Sequence, residues 1–421
     1  MLRFVRALVS LLLALLLAAP AAGASSAAVG RYIVVLRDNA DSAAVAQDHA
    51  ARFGASVNHV YRFALRGYAA SIPDARLAAV RADSRVAFVS ADREVHAIAQ
   101  SLPTGIDRID GDLSSQLSGN GSGSVSGLAV AVIDTGSGPH TDLNIAGGVN
   151  CSNGRPTNFS DGNGHGTHVA GTIGAKDDGN GVVGVAPGVP IYSVRVLNNQ
   201  GSGSWSSVAC GIDWVTANAT SKNIKVANMS LGGAGIDDGN CGNSNNDALH
   251  RAICNSVAAG VTYVVAAGND NANLAGFVPA AYNEVLAVTA EADFNGQPGG
   301  GAAATCRTDV DETAADFSNF TTIGSSDVGH TIAAPGVCIL STWKGGGYNT
   351  ISGTSMASPH VAGTAALCLS TAKCSGMTPA QVRTKLRGDA AAQPASYGFT
   401  GDPNSPNGNR YYGHLVFAGG Y

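Results

Sequence analysis

Three short segments of the sequence carry an aspartate, a histidine and a serine in settings that suit catalysis. Asp134 follows an apolar, strand-like run, His165 begins a predicted helix with glycine on either side, and Ser355 begins another predicted helix. The N-terminus of a helix favours negative charge that develops beside it. A serine hydroxyl attacks a carbonyl group only when a base removes its proton, and an imidazole oriented by a carboxylate is such a base. The three residues therefore indicate nucleophilic acyl transfer.

The order of these residues along the chain narrows the class of enzyme. Asp, His, Ser is one of the known triad orders, whereas α/β-hydrolases have the order Ser, Asp, His. The serine stands in G-T-S-M-A rather than in the G-x-S-x-G elbow, which disfavours lipases and esterases. His165 and His168 could form a metal pair, but no Glu lies between them and no third ligand is evident. Each residue alone could simply cap a turn, so the inference depends on the set.

The elements that must position these residues are predicted to be parallel strands covered by helices. Apolar runs alternate with helical patterns from residue 128 onward, and continuous apolar runs are typical of strands buried on both faces. Functional groups are expected at the carboxyl ends of such strands. Strands are predicted at 128–133, 191–197, 225–231, 261–267 and 285–289, and helices after His165, at 205–218, at 246–259, after Ser355 and at 379–386.

Composition divides the chain near residue 100. The 421 residues are 45% apolar, which excludes disorder, and the 55 Gly have no three-residue period, which excludes collagen. Residues 1–100 hold 11 Arg, no Lys, 7 Asp or Glu and no Cys, whereas the remainder holds 14 Lys or Arg, 23 Asp or Glu and all 8 Cys. The overall charge of −5 gives no sign of a nucleic-acid partner.

The N-terminus is predicted to be a secretory signal peptide covering residues 1–24. Arg3 and Arg6 precede an apolar run over 7–19, and Ala22-Gly23-Ala24 offers a cleavage site. The run is shorter than the roughly 20 residues that a membrane-spanning helix needs. We therefore expect a secreted product without a membrane span, exposed to a compartment in which disulfides persist.

Residues 25–100 are predicted to form a small α+β module. Strand, helix, hairpin, helix and strand patterns follow one another at 31–36, 41–53, 57–73, 75–82 and 86–89. The order β-α-β-β-α-β suits an antiparallel sheet of four strands packed against two helices.

Together these motifs resemble the subtilisin-like serine proteases, the subtilases, and within them the proteinase K branch. The matching segments are AVIDTG, GHGTHVAGTIG, NMSLGG, AAGND and GTSMASPHVAG, and the module at 25–100 resembles the family's pro-domain in RYIVVL and VAFVSADREVHA. The resemblance implies a three-layer α/β/α catalytic domain at 101–421 with a mainly parallel sheet. It also implies a monomeric endopeptidase that acts on proteins and peptides and whose pro-domain assists folding and blocks the active-site cleft.

The resemblance assigns roles to four residues. Ser355 is the nucleophile, His165 the general base and acid, and Asp134 the carboxylate that orients the imidazole. The side-chain amide of Asn269 and the backbone N–H of Ser355 would bind the oxyanion. The structural alternative for Asn269 is a turn residue that follows Gly268.

By the same resemblance, an extended substrate lies between two walls that contain much glycine. One wall is Gly201, Ser202 and Gly203, the other is Ser230, Leu231, Gly232 and Gly233, and Ala267 and Gly268 close the primary specificity pocket. The segments contain no acidic residue, so a broad specificity with preference for apolar or aromatic side chains is expected. Trp205 matches an aromatic subsite position of the family, and a core position of the helix at 205–218 is the alternative.

The resemblance also bears on maturation and on the cysteines. Mature enzymes of the family begin shortly before a segment like GIDRID, so self-cleavage is expected near Gln100-Ser101. Eight cysteines allow 105 pairings, and sequence alone does not choose among them. Sequential pairing is the working hypothesis, and its last two pairs resemble bridges of the proteinase K branch; the pairs are 151–210, 241–254, 306–338 and 368–374.

No cofactor is expected for catalysis, but many relatives bind structural calcium. Asp237-Asp238 and the acidic segment 309–312 could supply oxygen ligands or could be solvated loops. Thr331 stands where proteinase K has a calcium-binding Asp, so calcium is not expected at that place. The rival function is a catalytically inactive secreted homologue that only binds proteins. The intact residues Asp134, His165, Asn269 and Ser355 disfavour this alternative.

Overall fold

A computed structural model describes residues 29–92 and 99–421. The predicted signal peptide lies outside the described residues. The chain divides between His96 and Ala97 into two compact units, called here the N-terminal module and the large domain.

The N-terminal module is an antiparallel sheet with two helices, as predicted. The strand order is β2-β3-β1-β4. Asp41 caps the first helix by accepting from two backbone N–H groups, and Gly54 ends it with φ at 68°. The elements are β1 (Val29–Leu36), α1 (Ser42–Phe53), β2 (Ser56–Tyr61), β3 (Gly67–Pro73), α2 (Asp74–Arg81) and β4 (Val86–Ala91). A single apolar cluster, which includes Val34, Tyr68, Ile72 and Val80, forms its core.

The large domain is built on seven parallel strands in the order β7-β9-β6-β10-β12-β14-β17, with the short β15 antiparallel to β14. These strands are β6 (Ala129–Asp134), β7 (Ile145–Asn150), β9 (Ile191–Arg195), β10 (Ile224–Met229), β12 (Thr262–Ala266), β14 (Leu286–Ala292), β15 (Thr313–Ala314) and β17 (Thr331–Pro335). The shorter pairs are formed by β5 (Ala99–Ser101), β8 (Asn180–Val182), β11 (Gly233–Ala234), β13 (Phe277–Val278), β16 (Thr321–Thr322), β18 (Ile339–Trp343), β19 (Gly347–Ile351) and β20 (Arg410–Tyr411).

Helices cover both faces of this sheet, which confirms the predicted three-layer α/β/α fold. Alternate residues of β6 enter different cores: Val130 and Val132 pack in one apolar cluster, Ala131 and Ile133 in the other. The first cluster includes residues of α4, α7 and α8, and the second includes residues of α5 and α6. The helices are α3 (Thr104–Arg108), α4 (His165–Gly174), α5 (Trp205–Asn218), α6 (Ala248–Ala258), α7 (Thr354–Ser370) and α8 (Pro379–Ala391).

Four disulfides hold the large domain, and they pair the cysteines sequentially as expected. The bridges are Cys151–Cys210, Cys241–Cys254, Cys306–Cys338 and Cys368–Cys374. The first closes the longest loop, with a sequence separation of 59 between its cysteines.

A buried arginine ties the start of the large domain to its C-terminal segment. Arg108, at the end of α3, donates to both carboxylate oxygens of Glu312 at 2.7 and 2.6 Å and to the carbonyl of Tyr397 at 2.7 Å. Glu291, at the end of β14, has one carboxylate oxygen 3.9 Å from the guanidinium. Glu291 is fully buried and neither of its oxygens has a hydrogen-bond partner. This arrangement is a potential source of pH-dependent stability.

Candidate active site

The aspartate and the histidine predicted from the sequence meet at the carboxyl edge of the sheet. Asp134 ends β6 and is fully buried, and His165 is the first residue of α4. His165 Nδ1 lies 2.8 Å from Asp134 Oδ1 and 3.0 Å from Oδ2. The side chain of His165 is 26% exposed. The carboxylate therefore fixes the ring through one nitrogen and leaves the other available.

A second carboxylate, Asp161, holds the loop on which His165 stands. Its Oδ1 accepts from Thr135 Oγ1 at 2.9 Å and from the backbone N–H groups of Asn163 and Gly164. Its Oδ2 accepts from the backbone N–H and the hydroxyl of Thr167. The sequence analysis did not identify Asp161, although it lies only four residues before His165. It connects the end of β6 to the first turn of α4.

Two opposing effects set the pKa of His165. Burial lowers it, whereas the charge of Asp134 and the hydrogen bond from the ring to Asp134 raise it, with a smaller contribution from Asp161. The net result is a pKa above the ordinary value. His168 is different, because burial lowers its pKa to about 3 and its Nε2 is 2.9 Å from the carbonyl of Ile339. His168 is therefore a neutral structural residue.

The serine predicted as nucleophile lies in the first turn of α7. Ser355 Oγ donates to the carbonyl of Ser230 at 3.3 Å, and Ser230 Oγ donates to the carbonyl of Ser355 at 2.8 Å. Ser230 lines the same cavity as His165. The hydroxyl thus hydrogen-bonds to the substrate wall rather than to the imidazole. Catalytic hydrogen bonds in enzymes without substrate are often long or poorly aligned.

Asn269 is held at the N-terminus of α7 through its side-chain oxygen. Its Oδ1 accepts from the backbone N–H of Thr354 at 2.8 Å and from Thr354 Oγ1 at 2.9 Å, which leaves Nδ2 free to donate. A Cβ atom placed on Gly353 would lie 3.6 Å from Asn269 Nδ2 and 3.6 Å from the backbone nitrogen of Ser355. Both nitrogens therefore lie close to Gly353. Thr354, which positions Asn269, was not identified from the sequence.

Most of the predicted substrate-binding residues line one cavity of about 640 Å³ next to His165. The members from the sequence prediction are Gly201, Ser202, Gly203, Trp205, Ser230, Leu231 and Gly232. Trp205 begins α5 and is 40% exposed, so it belongs to the cavity rather than to the helix core.

The remaining three predicted residues lie outside the lining of this cavity. Gly233 belongs to β11, which pairs with β13, the strand that contains Phe277. A Cβ atom on Gly232 would stand 2.3 Å from the ring of Phe277, and one on Gly268 would stand 3.1 Å from it. The ring therefore lies between the SLGG wall and the segment of Ala267 and Gly268. Phe277 packs between the two predicted wall segments, and the sequence analysis did not identify it.

The two acidic segments predicted as possible calcium ligands have different neighbours in the structure. In the segment 309–312, Asp309 pairs with Arg307 at 2.8 Å and Glu312 pairs with Arg108. Asp237 and Asp238 instead approach His250, at 3.4 and 3.3 Å from its Nδ1. Thr331 is buried and donates to the carbonyl of Asp327.

A parallel sheet covered on both faces, with a carboxylate, an imidazole and a hydroxyl at its carboxyl edge, is the arrangement of a serine hydrolase. The profile of the Subtilase family matches residues 125–414, and the profile Peptidase inhibitor I9 matches residues 31–97. The chain belongs to the subtilase family and is a subtilisin-like serine protease with an inhibitor-type pro-domain. Its substrates are accordingly proteins.

Characterised proteases resemble this chain over most of its length. An alkaline protease of Alkalihalobacillus alcalophilus is 38% identical over 314 residues, which are 75% of this chain and 71% of the relative. Subtilisin NAT of Bacillus subtilis subsp. natto is 35% identical and covers 89% of this chain and 88% of its own. An extracellular serine proteinase of Thermus sp. (strain Rt41A) is 40% identical and covers 86% and 85%.

A solved structure of a related protease has a similar fold. A cold adapted subtilisin-like serine proteinase is similar with a TM-score of 0.53 at 35% identity, covering 69% of this chain and 89% of that chain. Within the described residues of the present chain, no helix is long and apolar enough to cross a membrane.

Proposed function

We propose that the protein is a secreted serine endopeptidase of the proteinase K branch that hydrolyses peptide bonds through an acyl-enzyme on Ser355. The observation that carries this proposal is the contact of 2.8 Å between His165 and the buried Asp134, with Ser355 and the N–H group of Asn269 at the neighbouring helix end. All groups that the chemistry needs belong to the chain, so no cofactor takes part.

In the first step His165 acts as a general base. Its Nδ1 proton is held by Asp134, which leaves Nε2 as the acceptor for the proton of Ser355. For attack, the Ser355 hydroxyl turns away from the carbonyl of Ser230, to which it donates in the absence of substrate. His165 then returns the proton to the leaving amine, and water hydrolyses the acyl-enzyme by the same route.

The tetrahedral intermediate carries a negative oxygen that requires hydrogen-bond donors. The proposed donors are Asn269 Nδ2 and the backbone N–H of Ser355, whose nitrogens each lie 3.6 Å from the position that a Cβ atom on Gly353 would take. Replacing Asn269 with Asp keeps an acceptor for Thr354 but removes the donor. We expect kcat to fall on the order of 10²–10³-fold with little change in KM. An unchanged kcat in this variant would remove Asn269 from the oxyanion site.

The substrate is proposed to bind as an extended strand between the two walls and to place an apolar or aromatic side chain next to Phe277. Glycines at 201, 203 and 232 line the cavity and present backbone with which an extended substrate pairs. Trp205, half-exposed in the same cavity, offers a second apolar contact.

The N-terminal module is proposed to be the inhibitory pro-domain of a self-processing zymogen that follows a signal peptide at residues 1–24. Gln100, in the region predicted for cleavage, lies in β5, which pairs with β8 of the large domain. Its side-chain amide donates to the carbonyl of Lys176 at 2.8 Å. These contacts hold the segment around the proposed cleavage site, near Gln100-Ser101, within the large domain. The N-terminal sequence of the purified enzyme measures the position of the bond.

A serine-directed fluorophosphonate tests the proposed activity. We expect labelling of the peptide that contains Ser355, with loss of casein hydrolysis in parallel. Ser355→Ala should abolish both and accumulate the unprocessed precursor. Ser370→Ala, at the other end of α7, is the matched control and should behave as the wild type. Correctly processed protein that takes up no label would contradict the proposal and support a protein-binding homologue without activity.

A further inference from the structure

A buried histidine outside the active site faces a small group of carboxylates. His250 lies in α6 and is fully buried. The loop that follows β11 brings Asp237 and Asp238 to one side of its ring, and Glu284 approaches the other side. This group has no part in the proposed proteolytic mechanism.

The distances on the Nδ1 side fit a metal ion. Nδ1 is 3.4 Å from Asp237 Oδ1 and 3.3 Å from Asp238 Oδ1, and the three atoms lie within 4.8 Å of one another. Ligands of a tetrahedral zinc ion, bound at about 2.0–2.1 Å, are separated from one another by about 3.3 Å. Nδ1 is buried and makes no hydrogen bond that satisfies normal geometry. It is therefore an unpartnered nitrogen directed at two carboxylate oxygens.

The other ring nitrogen has the partner that metal-binding histidines usually have. His250 Nε2 lies 2.8 Å from Glu284 Oε2. A carboxylate at this position fixes the ring and favours the tautomer whose Nδ1 carries a lone pair. Tyr282 stacks on the ring with centroids 4.0 Å apart and the planes parallel to within 1°. The imidazole is thus held in one orientation before any ligand arrives.

The carboxylates are also held in place. Asp238 accepts four backbone N–H groups of its own loop, at residues 240, 242, 244 and 245. Asp237 accepts from Asn283 Nδ2 at 2.6 Å and keeps 15% of its side chain exposed, which gives solvent access to the group. Among the described residues, no Lys or Arg forms an ion pair with Asp237, Asp238 or Glu284. A cation would offset the charge that these three carboxylates leave uncompensated.

We propose that His250 Nδ1, Asp237 Oδ1 and Asp238 Oδ1 bind a divalent transition-metal ion of the zinc class, with solvent in the remaining position. Nitrogen and carboxylate ligands suit zinc, whereas calcium takes oxygen ligands only. The ion would connect α6 to the loop that continues from the Gly233 substrate wall. The alternative is that Nδ1 carries a proton, so that His250 is doubly protonated and binds no metal ion.

The test uses the full chain with Ser355→Ala, which prevents autolysis. After dialysis against a chelator, cobalt is added at pH 8 and the visible ligand-field absorption is recorded. We expect a one-to-one titration with the intensity of a four-coordinate site, and displacement of cobalt by zinc. Zinc a hundredfold above its dissociation constant should raise the Tm of the large domain by about 4 °C.

Two variants and a control assign the ion to this place. His250→Gln keeps a contact to Glu284 but removes Nδ1, and Asp237→Asn removes one ligand charge; both should lose the cobalt spectrum and the zinc-dependent shift in Tm. His330→Gln changes a buried histidine that only bonds to the carbonyl of Ala280, and it should keep both signals. Absence of cobalt absorption in the parent chain, or the same spectrum in His250→Gln and Asp237→Asn, would overturn the proposal and leave a proton on Nδ1.

Discussion

Each of the two units contains a histidine that contacts an aspartate, and the two pairs differ in what surrounds them. In the N-terminal module, His49 Nε2 lies 3.1 Å from Asp83 Oδ2, and its Nδ1 hydrogen-bonds to the hydroxyl of Tyr68. In the large domain, His165 Nδ1 lies 2.8 Å from Asp134, and the ring is partly exposed to the substrate cavity. The first imidazole has both nitrogens occupied, whereas the second keeps one nitrogen for chemistry.

The carboxylates of the two pairs differ as well. Asp83 accepts from Arg85 through both of its oxygens, so most of its charge is already balanced. In the part of the chain that the structure describes, no arginine forms an ion pair with Asp134, and His165 is its one titratable hydrogen-bond partner there. A histidine-carboxylate contact alone therefore does not indicate a catalytic base. The second nitrogen and the counter-ion of the carboxylate decide its role.

The largest expected difference between the two pairs is in catalysis. Asp134→Asn would leave the geometry nearly intact but place the ring in the wrong tautomer, and kcat should fall about 10⁴-fold. Asp83→Asn is the matched change in the N-terminal module and should leave the kcat of the mature enzyme unchanged. Steady-state hydrolysis of a peptide substrate measures both. A loss below tenfold in Asp134→Asn would show that the pair in the large domain is structural, like its counterpart.

Much of the fold was predictable because strongly periodic segments leave little choice. The five strands predicted in the large domain all occur, with ends within three residues of the prediction. Two parallel strands, β7 and β17, were not predicted. β7 contains Gly147 and Gly148, which weaken a strand pattern, and β17 is short, rich in small residues and ends in Pro335. Both strands are stabilised by pairing with neighbouring strands. Such pairing cannot be read from a single sequence, so the two strands were missed.

The candidate site was predictable where the reacting groups lie in long motifs, and less so for the residues that support them. Asp161, Thr354 and Phe277 act through hydrogen bonds or packing to segments distant in the chain, as Thr354 does to Asn269 across 85 positions. Aspartate, threonine and phenylalanine are too common for their type to signal such a contact. The group around His250 was predicted only in part, because the sequence indicated Asp237 and Asp238 as metal ligands but did not indicate His250.

A second prediction concerns the environment of His165, the proposed general base. The proposed general base works when His165 is neutral, with its proton on Nδ1 and none on Nε2, so kcat/KM should rise with pH through the raised pKa of His165. Asp161→Asn removes a negative charge that helps to raise this pKa, so the acidic limb of the profile should move to lower pH. The side-chain NH₂ of the new asparagine would also face the N–H group of Thr167, and two donors cannot form a hydrogen bond. The loop would then be misplaced, and the plateau of kcat/KM should fall about tenfold.

The pH-rate profile separates these two effects of Asp161→Asn, because the midpoint reports the pKa and the plateau reports the positioning. The matched control is Asp48→Asn in the N-terminal module, which the mature enzyme lacks and which should change neither. A limb that moves to higher pH would contradict the proposed electrostatic role of Asp161.

A third prediction compares how pH changes the stability of the two units. Burial raises the pKa of Glu291 well above the ordinary value of 4.5, and it raises that of Asp293 to about 7. The folded state therefore holds protons that the unfolded state releases. The free energy of unfolding falls as pH rises from the ordinary pKa values, 4.5 for Glu291 and 3.8 for Asp293, towards the raised ones, by about 1.4 kcal/mol per pH unit for each proton. Glu291→Gln should reduce the slope of the free energy of unfolding against pH by the contribution of one proton.

Tryptophan fluorescence during denaturant unfolding measures this effect in the Ser355→Ala chain, because all three tryptophans, at 205, 214 and 343, belong to the large domain. Glu284→Gln is the control, since its hydrogen bond to His250 lowers the pKa of Glu284. If Glu291→Gln has the pH slope of the parent chain, Glu291 is already ionised in the folded domain.

The smallest effect is expected in the N-terminal module, where the dependence on pH has the opposite sign. The hydrogen bonds from Arg85 lower the pKa of Asp83, so the stabilisation is present above the ordinary value of 3.8 and is lost as pH falls below it. Arg85 is 37% exposed, so Arg85→Gln should cost only about 1 kcal/mol at pH 7. The variant should also lose less stability on acidification than the parent.

Hydrogen exchange of peptides from residues 29–92 of the Ser355→Ala chain measures this loss, with each variant compared with the parent at the same pH. Arg62→Gln is the matched control, because among the described residues Arg62 forms no ion pair. Equal sensitivity to acid in the parent and in Arg85→Gln would show that Asp83 is not stabilised by its arginine. The contrast with the unpaired carboxylates of the large domain would then lose its physical basis.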